Sequence, residues 1–175
     1  MNLSRTTLSL FLTALALVFP SSVQADSNWK NLVPINPTLF SVSMPGNPEK
    51  QGERTEWRSE DDEQRVYSVG YGLYTEPQIK DANAFMQKIS LVLAHNTGSK
   101  VAYLWFFKQQ GAPACEFKLV NTENQLVTVM RYFLVNQWFY FVSYTTSIKS
   151  FDMDRMKKFH ASFQMINPAL KSSSR

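Results

Sequence analysis

Leu39 to Met44 alternates apolar and polar side chains, which puts Phe40, Val42 and Met44 on one face of an extended strand. Pro45-Gly46-Asn47-Pro48 ends that run, and a polar strand over Gln51–Trp57 is expected to fold back on it as a hairpin. Val66 to Leu73 alternates again, with Tyr67, Val69, Tyr71 and Leu73 on one side. Gly70 and Gly72 share the other side, and two glycines in a strand imply that something packs close against that face. The period then changes. From Asp81 to Ala94, Phe85, Ile89, Val92 and Leu93 recur at helical spacing, flanked by Ala82 and Met86. Asp81 is the expected N-cap and Asn96-Thr97-Gly98 the stop.

Four strands follow, over Lys100–Lys108, Ala114–Val120, Gln125–Leu134 and Gln137–Thr145. Their short polar separators favour antiparallel neighbours. Ser150 to Phe163 closes the pattern as a helix, with Ser150 as its cap and Met156, Phe159 and Phe163 on its buried stripe, extended by Met153. The expected fold is α+β: an antiparallel sheet of about six to seven strands flanked by two main helices.

At the N-terminus the pattern is of another kind. Arg5, an uncharged apolar run from Leu8 to Phe19, and Val23-Gln24-Ala25 have the three regions of an export signal. The run is shorter than the roughly 20 residues of a spanning helix. The organisation read from the sequence is therefore a signal peptide over 1–25, a polar lead-in over 26–37 anchored by Trp29 and Leu32, one domain over 38–166, and a flexible basic tail over 167–175. The product is expected in the periplasm or outside the cell.

Charge changes the picture little. The formal net charge is +4, but the segment 49–65 is rich in acids and 149–175 in bases. Glu60-Asp61-Asp62-Glu63 lacks the spacing and turn glycine of a calcium loop and reads as a solvated loop. Asp152 and Asp154 suit the positive start of the last helix. The basic end reads as solvated faces rather than a nucleic-acid surface, although Lys149, Arg155, Lys157 and Lys158 would suit contact with a membrane surface.

Candidate chemistry is sparse. The single cysteine, Cys115, excludes an internal disulfide and reads as a small buried side chain. His95 and His160 are the only imidazoles and share no ligand spacing with it. Phosphate loops and a G-x-S-x-G elbow are absent. No catalytic residue, metal ligand or cofactor is implied. What stands out is aromatic: Trp105, Phe107, Trp138 and Tyr140, each pair two residues apart and so on one face of its strand. Packing in the core is the ordinary use of such rings, and an aromatic floor for a ligand or partner is the functional one.

Two stretches carry a resemblance. Phe40-Ser41-Val42-Ser43-Met44-Pro45-Gly46-Asn47-Pro48 opens the domain. Gly111-Ala112-Pro113-Ala114-Cys115-Glu116-Phe117, the aromatic run Trp138–Val142 and Phe159-His160-Ala161-Ser162-Phe163 close it. Over roughly residues 38–166 the chain resembles small exported domains with the PsbP/DcrB-like fold, which are α/β/α sandwiches on an antiparallel sheet. The resemblance implies an accessory, assembly or binding protein and carries no catalytic residues. The expected function is thus an exported, non-catalytic protein recognising a partner protein or small ligand, as monomer or homodimer. The alternatives are a hydrolase or metal-dependent enzyme with scattered site residues, and a peripheral membrane-surface protein.

Overall fold

In the computed structural model, residues 28–34, 40–51, 55–73 and 81–166 are described. The expected leader at 1–25 and tail at 167–175 lie outside them. In chain order the elements are β1 (Trp29–Leu32), β2 (Phe40–Pro45), β3 (Glu49–Lys50), β4 (Glu56–Glu60), β5 (Val66–Leu73), α1 (Ala82–Asn96), β6 (Lys100–Gln109), β7 (Ala112–Asn121), β8 (Leu126–Val135), β9 (Trp138–Ser147), α2 (Met153–Ser162) and β10 (Gln164–Met165).

A seven-stranded antiparallel sheet runs in the order β3-β4-β5-β9-β8-β7-β6. Tight turns set its meander from β6 to β9. Gln110 and Gly111 adopt φ of 51° and 82° between β6 and β7, and Asn136 adopts 55° between β8 and β9. Gly and Asn tolerate that left-handed region best.

One face of the sheet carries Tyr67, Val69, Ala114, Val129, Phe133, Tyr140, Val142 and Tyr144 into the larger core, where Phe40, Val42, Met44, Met156, Phe159 and Phe163 meet them. Burying each of the larger side chains stabilises the fold by roughly 1.5–3 kcal/mol. The opposite face buries Cys115, Phe117, Leu119, Met130 and Tyr132 beneath α1. The architecture is the expected α+β sandwich with helices on both faces of an antiparallel sheet.

Several local expectations are corrected. β2 does not pair with β4; it lies in a second, three-stranded sheet of order β1-β2-β10, and the hairpin forms between β3 and β4 instead. Phe40, Val42 and Met44 do share a fully buried face, but that face lies over the main sheet rather than within it. The segment expected as a lead-in supplies β1, and Trp29 and Leu32 pack on the larger core.

The buried stripe of α1 is Met86, Ser90 and Ala94, with Phe85, Ile89 and Leu93 partly buried beside it, while Val92 is 50% exposed. Asp81 is its N-cap, as expected. For α2 the cap is Asp152, not Ser150: its carboxylate accepts from the Asp154 and Arg155 amides at 3.0 Å each. Met153, placed on the buried stripe by its spacing, is exposed, because the chain enters the helix only at this residue.

Candidate functional site

Beyond the edge of α2, the larger-core face of the sheet continues onto β7 and β6, and its side chains become polar and aromatic. Trp105 on β6, Glu116 on β7 and Arg131 on β8 form one cross-strand row. Glu116 is only 7% exposed, so its carboxylate must be paired from within. Arg131 Nε donates to Oε2 at 2.6 Å, Tyr103 Oη donates to Oε1 at 2.9 Å, and His160 Nδ1 lies 3.3 Å from Oε2.

Burial alone would raise the Glu116 pKa. The hydrogen bonds from His160, Arg131 and Tyr103 and the Arg131 charge outweigh it and hold the group at about 2. An ionised carboxylate only accepts, so the Nδ1 of His160 carries the proton of their bond. Burial lowers the His160 pKa against the pull of Glu116, which leaves a neutral imidazole. The result is one buried carboxylate balanced by one guanidinium.

The outer part of this cluster faces solvent. Trp105 is 50% exposed and stacks on Phe107, with ring centroids 4.9 Å apart and an interplanar angle of 23°. The Arg131 guanidinium stands 5.5 Å from the Phe107 centroid, within cation–π range. Trp105, Phe107 and Arg131 thus form a platform with flat apolar area and a positive charge pinned by Glu116. The platform adjoins β6, the last strand of the sheet, which pairs only with β7 among the described residues. On the reverse side of β6, a cleft of about 560 Å³ opens toward the start of α1, lined by Asp81, Asn83, Phe106, Phe107, Lys108 and Pro113.

The structure brings two of the four sequence-predicted residues together, Trp105 and Phe107. Tyr140 is corrected: it is fully buried, packed against Phe40 and Phe163 at 6.4 and 6.2 Å between centroids, because β2 and α2 cover that part of the sheet. Trp138 lies on the same face but away from the platform. It packs half-buried against Tyr71 at 5.9 Å. All four share a face, as their spacing required, but cover differs along it. His160 stands out in the sequence only as an imidazole without ligand spacing, and Glu116, Arg131 and Tyr103 belong to no catalytic or ligand-binding motif. Their signal was present, since charges at positions 116 and 131 interrupt the inward apolar series of Ala114 and of Val129 and Phe133.

Elsewhere the titratable groups are structural. The acidic segment is solvated as expected at Glu60, Asp62 and Glu63, but Asp61 turns inward and orders the turn. Asp61 accepts from the Glu63 and Arg65 amides and from Tyr67 Oη, and it pairs with Arg65 and Arg155. Arg65, 2% exposed, is held by Asp61, Glu63 and Asp152. Cys115 is free and fully buried, and burial pushes its thiol up to about 12. No group of three or more His, Cys, Asp or Glu is placed to hold a metal ion among the described residues.

This fold is similar to that of a solved cyanobacterial protein. The solution structure of PsbP (CyanoP) from Synechocystis sp. PCC 6803 superposes with a TM-score of 0.54, over 72% of this chain and 86% of that one, at 9% identity. The fold is PsbP-like. A second match is the crystal structure of the protein of unknown function PA94 from Pseudomonas aeruginosa, at TM-score 0.44 and 11% identity, over 83% of this chain and 93% of that one. No protein-family model and no curated protein matches the sequence. At such identities the PsbP-like likeness concerns the fold alone, and no helix among the described residues is long and apolar enough to cross a membrane.

Proposed function

We propose that this chain is an exported, non-catalytic accessory protein that recognises a partner protein through the platform of Trp105, Phe107 and Arg131. The observation that carries the reading is the half-exposed Trp105, held flat by Phe107 beside a guanidinium whose Nε is fixed by Glu116. A rigid aromatic ring beside an oriented arginine is the composition of an interface anchor. Cys115 and His160 are not open to act as a nucleophile and base: the thiol is buried, and the imidazole is fully buried against Glu116. The PsbP-like fold and the N-terminal pattern support export and an accessory role.

The test uses the product beginning at Asp26, whose N-terminal mass also reports signal cleavage. Wild type and Trp105→Ser serve as bait for the extracytoplasmic fraction of the source cells. The expected result is a stoichiometric protein retained by wild type and lost from a Trp105→Ser variant of unchanged melting temperature. Equal retention by both would remove the platform from recognition, and retention of nothing by wild type would remove the binding role.

A further inference from the structure

We propose that β6 takes up an extended segment of the partner as an added strand, and that this segment is acidic at its ends and apolar in its middle. The inference rests on the reading of the platform as a recognition surface and names how the partner is held. An edge strand presents a row of backbone donors and acceptors that pair readily with another chain. β6 is ten residues long, and the irregularity between Val101 and Tyr103 leaves an uninterrupted ladder from Tyr103 to Gln109. That length is ample for one added strand.

Side chains of an added strand alternate between the two faces. On one face they would meet Trp105 and Phe107. On the other they would meet Phe106, 37% exposed, at the mouth of the 560 Å³ cleft. Both rows of a bound segment therefore find apolar contact in its middle.

The ends of β6 set the charge. Lys100 and Lys108 are exposed, and no described carboxylate pairs with either. Two nearby carboxylates are already engaged: Asp81 accepts from the Asn83 and Ala84 amides at 2.9 and 3.1 Å, and Glu116 is spent on Arg131. A segment with carboxylates flanking an apolar centre is the complement. A second copy of this chain is not. Antiparallel self-pairing centred on Leu104 sets Lys100 opposite Lys108 at both ends, and like charges directly opposite destabilise a strand pair.

The experiment titrates the ¹⁵N-labelled product, residues 26–175, with a ten-residue peptide bearing two glutamates at each end of an alternating Val/Thr centre. Its twin carries lysines in their place. The expected result is slowed amide exchange along β6, shifted Phe106 and Asn83 signals, and at least tenfold tighter binding of the acidic peptide at low salt, with the preference reversed in K100E/K108E. Equal affinity for both peptides, perturbation centred away from β6, or no binding would overturn the proposal. So would a dimer in sedimentation whose β6 amides are protected without peptide. Loss of the partner from the Trp105→Ser bait together with no protection of β6 would leave the platform standing and remove strand addition alone.

Discussion

Glu116 and His160 lie 44 positions apart and meet with Oε2 and Nδ1 at 3.3 Å, joining β7 to the last turn of α2 inside the protein. The contact couples stability to pH in two windows with the same sign. His160 is held neutral below its ordinary value of 6.5, so below that pH the unfolded chain binds a proton that the native state refuses. Glu116 is held at about 2 against an ordinary 4.5, so its contribution is complete above 4.5 and is lost as pH falls toward 2. Urea midpoints followed from pH 8 to pH 3 are expected to fall first below 6.5 and again below 4.5. His160→Gln keeps a donor for Glu116 but does not titrate, and it should abolish the first fall. The other imidazole, His95, is exposed. Persistence of the first fall in His160→Gln would exclude His160 as its source.

Glu116→Gln removes the charge that balances Arg131, whose side chain is 20% exposed. Breaking a buried pair by removing one partner costs about 3–5 kcal/mol. Denaturant unfolding should show a loss in that range, and a loss under about 1 kcal/mol would mean that water already solvates the cluster.

Phe159 is fully buried between Tyr67 and its neighbours in the larger core, with the Tyr67 ring at 5.3 Å. Phe159→Ala is expected to cost about 3–5 kcal/mol, as truncation of a core aromatic does. A two-state unfolding curve shifted by less than about 1 kcal/mol would place Phe159 outside the cooperative core.

A Cβ on Gly70 would stand 2.6 Å from the Phe141 ring and 2.9 Å from the Thr55 carbonyl oxygen. The ring can turn, but the backbone oxygen has little room to move. Gly70→Ala should destabilise by about 1–3 kcal/mol as an overpacked site, and Phe141→Leu in the same chain should recover only part of it. Full recovery in the double variant would assign the whole penalty to the ring.

Cys115 should not react with a thiol reagent in the native protein, because it is fully buried and its thiol is raised to about 12. Labelling should follow the urea unfolding transition, and Cys115→Ser should keep partner retention while losing roughly 1–3 kcal/mol for the buried hydroxyl. Rapid labelling of native protein would refute the placement, and loss of retention in a folded serine variant would give the thiol a role.

Much of this fold is written in its strand runs. Val66 to Leu73 and the run from Lys100 to Thr145 form strands almost where their β-branched and aromatic runs and short polar separators put them. What alternation cannot report is cover. Tyr140 and Trp105 have equal claims by spacing, and only the position of β2 and α2 over β9 buries one and leaves the other open. Helix rotation is similarly underdetermined: Ser90 outranks Val92 for burial on α1 because packing on β6 and β7 selects the stripe of Met86 and Ala94. The short strands β1 and β10 carry too few residues to show a period, and their pairing with β2 is set by long-range contact. The Glu116 cluster joins three strands and a helix, so its members announce themselves only as charges out of place.

The second sheet has a consequence for how the chain is made. β2 is flanked by β1 from the start of the domain and by β10 from its end, and the Ser43 amide is bonded to Ser162 Oγ at 3.0 Å. A growing chain therefore cannot close this layer until Met165 has left the ribosome. Until then Phe40, Val42 and Met44 lack the α2 residues that pack on them and the β10 strand that pairs beside them, so this apolar row is the last of the larger core to be covered.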